Sequence, residues 1–369
     1  VQGELHLEQY GDLVAASVEH DVQVVALLDY SVGWAEAVPG DYTTIDEAAF
    51  GAFAGAVAAA FGDDIEFYEV WNEENLEIFF KPAPDPEKYG ALLKAAAQAI
   101  RVADPGAVVL FGGLNSIGVF VGKPWGFFEA VADAHGDIGN YFDGFAIHPY
   151  TLAQALSPEQ ENAAGTFADM LHFARGALGR FGMEYKPLFI TEMGWPACPC
   201  PPLEPPLLIP NVSYDEQANY LVRSYVLAAA AGVDVFLWYD FMDGDGFGEI
   251  FSESFFGLVK YDPDPGDDVP PELKPSYLAY AALNGFMAGR VYGGDMGPSL
   301  HCHAHLFTGQ SADMVVVWNS LDDGECGVAL PPGAHQVYDL FGDPTGTVEG
   351  SLEVPPDGSP RYVTLAPID

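Results

Sequence analysis

Positive charge is scarce in this sequence. Thirteen Lys and Arg face 54 Asp and Glu over 369 residues, a formal net charge of −41. That balance excludes electrostatic capture by nucleic acid or by an anionic membrane surface. The acids are scattered and form no single tail, which points to a surface adapted to high salt, where screening removes self-repulsion; an ordinary acidic secreted enzyme is the plainer alternative. Long hydrophobic runs are missing as well. No uninterrupted apolar stretch reaches the roughly 18 residues of a membrane-spanning helix. The chain opens on Val1 without a signal peptide, so either a leader has been removed or the sequence is a fragment, and an extracellular setting is expected.

Cysteine is sparse, with four in the chain, and leaves the redox compartment open. Cys198 and Cys200 flank one proline, too close to bridge each other without strain. Cys302 and Cys326 lie in strand-like segments and could pair across a sandwich. Cofactor signatures are absent too: no Gly-x-Gly-x-x-Gly follows a strand, and Gly112-Gly113 reads only as a turn. Asp243-Gly244-Asp245-Gly246 lacks the later bidentate glutamate of a calcium loop and reads as a flexible acidic loop. His301, His303 and His305 would share one face of a strand, where a wet polar face is favoured over a metal site. Neither a metal nor an organic cofactor is expected.

What is present is an alternation of strand and helix. Strand-like apolar runs fall at 22–28, 65–71, 107–111, 142–147, 187–191 and 233–238, with helical stretches at 44–61, 86–103, 126–134, 164–181 and 213–231 between them. Asp85 and Pro86 suit the N-cap and first turn of one such helix. Continuous apolar strands separated by helices indicate a parallel sheet covered on both faces. A last helix at 274–289 closes this part. Beyond it, short alternating runs between Gly, Pro and Asp clusters read as an antiparallel β-sandwich, so two domains are expected, 1–289 and 290–369. The proline-rich loop 198–210 and the segment 241–256 are expected to shape a cleft and its specificity.

Two glutamates stand at strand ends. Glu73 closes the run 65–73, and Glu192 follows 187–191 and leads into Met193-Gly194-Trp195-Pro196. A carboxylate at the C-terminal end of a buried parallel strand faces the mouth of a (β/α) barrel, where chemistry gathers. Two of them, among aromatic residues, are what cleavage of a glycosidic bond needs. With roughly 5–5.5 Å between the carboxyls, one attacks the anomeric carbon and the other protonates the leaving oxygen. Aromatic faces suit the apolar C–H faces of a sugar ring. Either glutamate alone could be a solvated loop residue; Trp71 reads as packing, and His148 as a site residue or a satisfied core histidine.

Several motifs in register carry a family resemblance. The stretch Trp71-Asn72-Glu73-Glu74-Asn75, continuing to Gly112-Gly113-Leu114, resembles the acid/base region of clan A retaining glycoside hydrolases, most of all family 39 and the family 5-like barrels. Asp29-Tyr30-Ser31-Val32-Gly33-Trp34-Ala35 is similar to the end of that clan's third strand, Phe145-Ala146-Ile147-His148-Pro149-Tyr150 to the sixth, Thr191-Glu192-Met193-Gly194-Trp195-Pro196 to the seventh, and Leu237-Trp238-Tyr239-Asp240 to the eighth. The resemblance implies Glu73 as acid/base and Glu192 as nucleophile. It implies Asn72 on the sugar 2-hydroxyl, with His148 and Tyr150 orienting the carboxylates. Trp238 would floor the first sugar subsite with Trp34 and Trp195 as walls, and Tyr30 and Asn115 would complete the binding set.

The implied fold is a (β/α)8 barrel followed by a β-sandwich. Only six strand runs are found, so the first two βα units have no counterpart, and an open sheet would leave edges exposed. The implied activity is hydrolysis of β-linkages in an oligosaccharide or polysaccharide. A catalytically silent carbohydrate-binding barrel and a transglycosylase using the same glutamates are the alternatives.

Overall fold

The computed structural model describes residues 5–366 apart from 117–124, 152–155, 163, 199–210, 246–251, 265–268, 310–311 and 321–323. Most of the 198–210 loop, including Cys200, and part of 241–256 therefore lie outside the described residues. Two compact units form: Val1–Tyr150 with Met170–Glu192, and Thr151–Asp169 with Met193–Asp369.

The first unit opens with α1 (Glu8–Glu19) and β1 (Val25–Leu28). It continues through α2 (Glu47–Phe61), β2 (Phe67–Asn72), α3 (Pro86–Ala103), β3 (Val108–Asn115), α4 (Gly126–Ala134), β4 (Gly144–His148), α5 (Phe167–Gly179) and β5 (Leu188–Ile190). Neighbouring strands run parallel, with Leu28 opposite Val70, Val70 opposite Phe111, Asn115 opposite His148 and Ile147 opposite Ile190. This register brings the C-terminal ends of β2, β3, β4 and β5 side by side. Local chemistry sets the helices: Asp46 accepts from Ala48 N and Ala49 N to open α2, and Asp85 accepts from Lys88 N beside Pro86 to open α3. A packed set of rings (Tyr89, Phe111, Phe127, Phe128, Phe142, Phe145) fills the layer between β3, β4 and helices α3 and α4. Strands β2 to β5 are almost wholly buried, whereas β1 is not, with Leu27 41% exposed. That is the signature of a strand covered less completely than its neighbours.

The second unit holds α6 (Tyr214–Ala230), opened by a Ser213–Glu216 capping box, then β6 (Val235–Phe236) and α7 (Pro275–Met287). In the first unit strand order follows chain order from β1 to β5, as in part of a (β/α) barrel. An antiparallel sheet follows, in the order β11-β10-β12-β9-β8-β7. Its strands are β7 (Arg290–Asp295), β8 (Cys302–Gly309), β9 (Met314–Asn319), β10 (Gly327–Tyr338), β11 (Pro344–Glu353) and β12 (Arg361–Thr364). A disulfide joins Cys302 to Cys326, with Cα atoms 5.1 Å apart. One cysteine opens β8 and the other precedes β10, and β9 and β12 separate those strands in the ladder. The sheet therefore folds over its own core of Ala304, Val315, Val317, Val328 and Val363. Cys198 is also disulfide-bonded.

The three histidines near β8 differ from the expected wet face. His301 is exposed, while His303 and His305 stack on Trp318 with ring centroids 4.6 and 5.2 Å away. Trp318 stands opposite His303 in the β8–β9 register, and its flat ring supplies the packing surface. Burial holds His303 down to about 4, so it is neutral and packed. Asp243, weighed above for calcium, instead takes Lys274 Nζ at 2.6 Å and Gly257 N at 2.9 Å. Among the described residues, no helix is long and apolar enough to cross a membrane.

Candidate active site

The strand ends of the first unit gather acids around one histidine. On β2, Glu69 is buried mid-strand and Asn72 ends the strand, with Glu73 and Glu74 directly after it. Trp71 and Glu73 have left-handed backbone angles, φ 76° and 48°, which interrupt the simple alternation of the strand. Trp71 thereby packs outward against Tyr42, Phe50 and Phe80, and its Nε1 donates to Phe79 O. It is a packing residue.

Glu73 Oε1 accepts two hydrogen bonds, from Asn115 Nδ2 at 2.6 Å and from His148 Nδ1 at 2.8 Å. Asn115 is itself fixed by Asn75, which accepts from Asn115 N at 3.0 Å and donates to Asn115 O at 2.7 Å. On the other side of His148, Nε2 lies 3.1 Å from Thr191 Oγ1, and Thr191 Oγ1 donates to Glu69 Oε1 at 3.0 Å. Glu192 Oε2 accepts from Tyr150 Oη at 3.0 Å and sits 3.6 Å from His148 Nδ1. One carboxylate oxygen from each of Glu73 and Glu192 and one nitrogen of His148 all lie within 4.8 Å of one another. Glu73 is buried, whereas the Glu192 side chain keeps a quarter of its surface exposed. Asn72 Nδ2 donates to Tyr30 Oη at 3.1 Å, and its buried Oδ1 has no hydrogen-bond partner among the described residues.

Burial opposes charge on His148, but Glu192 and Glu73 outweigh it and push the imidazole up to about 9. The ring is therefore an imidazolium near neutrality, with both nitrogens donating. Burial pushes Glu69 up to about 7 and Glu74 up to about 8. Asp29, just past β1, is raised to about 6 by burial and then by Glu192. Among the described residues, Glu73, His148 and Glu192 are the one group whose atoms could converge on a metal ion. With Nδ1–H donating to Glu73 and Nε2 against Thr191 Oγ1, both ring nitrogens of His148 are engaged, and the trio is a hydrogen-bonded set.

The sequence-derived residues fall into two groups. Glu73, Asn115, His148, Glu192 and Tyr150 form a bonded network in the first unit, and Asn72 and Tyr30 form a separate bonded pair there. Trp34 is exposed and takes no part in that network. Trp195 and Trp238 belong to the second unit, with ring centroids 6.0 Å apart. Trp195, expected as a wall, is fully buried and donates Nε1 to Leu156 O, so it offers no face to a sugar. Trp238 is half-buried and donates to Phe256 O. Gly112-Gly113, read as a turn, lies within β3. A Cβ on Gly113 would collide with His148 Nε2 and come within 2.6 Å of Glu69 Oε1, and one on Gly112 would meet Glu74 Oε2 at 2.5 Å. The two glycines make room for the buried acids and the imidazole.

Sequence reasoning assigned no site role to Glu69, Glu74, Asn75 or Thr191. A signal existed for the first of these: a glutamate in mid-strand of an otherwise apolar parallel strand is a buried charge.

No protein-family model matches the sequence, and a search of curated proteins finds no match. Solved structures do match. A family 39 glycoside hydrolase from Bacteroides cellulosilyticus WH2 superposes with a TM-score of 0.75 at 20% identity, covering 99% of this chain and 72% of that one. A family 39 β-xylosidase from Caulobacter crescentus gives 0.63 at 17%, covering 100% and 85%. A family 30 endoxylanase from Clostridium papyrosolvens C71 gives 0.59 at 11%, covering 98% and 85%. The fold is that of the clan the motifs resemble, a partial (β/α) barrel with a C-terminal antiparallel sheet. These three solved structures are glycoside hydrolases.

Proposed function

We propose that the protein is a retaining glycoside hydrolase acting on β-linked neutral sugars, by double displacement through a covalent intermediate on Glu192. The observation that carries this reading is the carboxyl pair just past the ends of β2 and β5, with one oxygen of each within 4.8 Å of the other. A separation of that order supports the roughly 5–5.5 Å carboxyl pair of a retaining enzyme over the roughly 6.5–9.5 Å pair of an inverting one. Glu73 Oε1 is occupied by two donors, which leaves Oε2 to carry the acid proton. In the first step a Glu192 oxygen attacks the anomeric carbon, the glycosidic C–O bond breaks, and the Glu73 proton passes to the leaving oxygen. In the second step Glu73 takes a proton from water, the water oxygen attacks the same carbon, and the ester to Glu192 is released. Tyr150 steadies the nucleophile, and the free Asn72 Oδ1 offers an acceptor to a sugar hydroxyl.

A neutral substrate fits the charge of the site. His148 is the one cation in the bonded network, and it is already committed to Glu73 and Thr191, so a uronide would meet no counter-charge there. The fold shared with a β-xylosidase supports a β-linked substrate. The Cys302–Cys326 disulfide and the net charge of −41 support an extracellular, salt-rich setting.

The test is Glu192→Ala, assayed on aryl β-glycosides in molar salt. Turnover should vanish, and added azide or formate should restore part of it with inverted stereochemistry. Undiminished activity in this variant would refute the assignment.

A further inference from the structure

Glu69 has no part in the two steps above, yet it is connected to them. It lies mid-strand on β2 with 3% of its surface exposed. Thr191 Oγ1 donates to its Oε1, His148 Nε2 lies against the same hydroxyl, and His148 Nδ1 reaches Glu73. Glu69 Oε1 is also 3.9 Å from His148 Nε2. A hydroxyl has one proton. When Thr191 gives it to ionised Glu69, its lone pairs face His148 Nε2, which must then carry a hydrogen of its own. With Nδ1 also donating to Glu73, the ring is cationic. When Glu69 is protonated instead, it can donate to Thr191, whose hydroxyl turns toward Nε2 and leaves the ring neutral. The two arrangements differ by the place of one proton.

We propose that Glu69 is a positioning residue for the reaction: through Thr191 it keeps His148 doubly protonated, and so sets the charge beside which Glu73 releases and regains its proton. This rests on Glu73 and Glu192 being the acid/base and nucleophile. The other titratable groups that act on Glu69 or feel its charge are Glu192, Glu74 and Tyr89. Burial places Glu69 near 7, so it gains its charge around neutrality, below the pH at which His148 gives up its proton.

Glu69→Gln keeps the shape and removes the charge. In substrate-free protein, the imidazole NMR resonance of His148, assigned by its loss in His148→Asn, should titrate near 9 and fall by at least about one unit in Glu69→Gln, because a charge about 4 Å away has been removed. The alkaline limb of kcat should move down with it, while KM changes by less than about twofold. Thr191→Val should move both readouts the same way, and Thr191→Ser should restore them. An unmoved His148 midpoint in Glu69→Gln and Thr191→Val overturns the proposal. So does a moved midpoint with an unmoved kcat limb. Because the titration needs no substrate, absence of turnover in the parent protein would count against the glycosidase reading, while the midpoint still decides whether Glu69 governs His148.

Discussion

The two units bury charge in opposite ways. In the second, the buried acids Glu159 and Asp243 each have their own base. Arg223 Nε donates to Glu159 Oε1 at 2.8 Å and Nη2 pairs with the other oxygen, while Trp318 Nε1 adds a bond at 2.9 Å. Burial alone would raise Glu159, yet Arg223 holds it below the usual carboxylate range. Lys274 and Asp243 form a second such pair. In the first unit, Glu69, Glu73, Glu74 and Glu192 cluster around a single imidazolium. One-to-one pairing closes a core and has nothing left to give a ligand. Four acids on one cation leave protons shared and the Glu192 carboxylate partly open, which is costly for folding and useful for chemistry.

The sharpest way to break this contrast is at Glu73. Glu73→Gln should lower turnover of substrates with poor, alkoxide-like leaving groups by about 10²–10⁴-fold. Activated aryl leaving groups should lose far less in the first step, because they need no proton. Leaving-group dependence of kcat/KM checks this, and a uniform loss across the series would remove Glu73 from the acid role. The matching change in the second unit is Arg223→Met. It strands the Glu159 carboxylate and should destabilise by about 3–5 kcal/mol, the usual cost of breaking a buried pair. Chemical denaturation measures it, and kcat at a temperature where the variant stays folded should not change.

Much of the candidate site was legible because motif and strand end coincide. Glu73, Glu192, His148 and Tyr150 each terminate or follow a strand, and the parallel register then brings strand ends together. The alternation of apolar runs and helices likewise indicated the parallel sheet, and the tail indicated the antiparallel one. Residues that act through space were harder to read. Thr191 was simply the end of an apolar run, and its bridging of Glu69 and His148 depends on strands separated by more than a hundred residues. Gly112-Gly113 looked like a turn because glycine marks turns and close approaches equally well, and only the neighbouring strands distinguish the two. Trp195 was misjudged because an aromatic beside a strand end packs inward as readily as it faces a ligand. The histidines of β8 needed Trp318 from the adjacent strand before their packing could be recognised.

The mildest test concerns Glu74, adjacent to Glu73 in sequence but different in circumstance. Both of its oxygens are fully buried without a hydrogen-bond partner among the described residues. Burial pushes it up to about 8 from an ordinary 4.5. A carboxyl raised in this way holds a proton in the folded state that the unfolded chain releases, so its contribution to stability is present below about 4.5 and declines as pH rises toward 8. His148 acts in the same sense, since its raised value means stability lost as pH rises from about 6.5 through 9. Glu74→Gln removes the first effect and leaves the second. Melting temperatures of parent and variant should agree near pH 5, and the variant should melt a few degrees higher at pH 8, with the gap opening through the interval between. Curves that stay parallel from pH 5 to 8 would mean that Glu74 does not titrate there. The first unit would then tolerate its surplus of acids by some means other than keeping this one neutral.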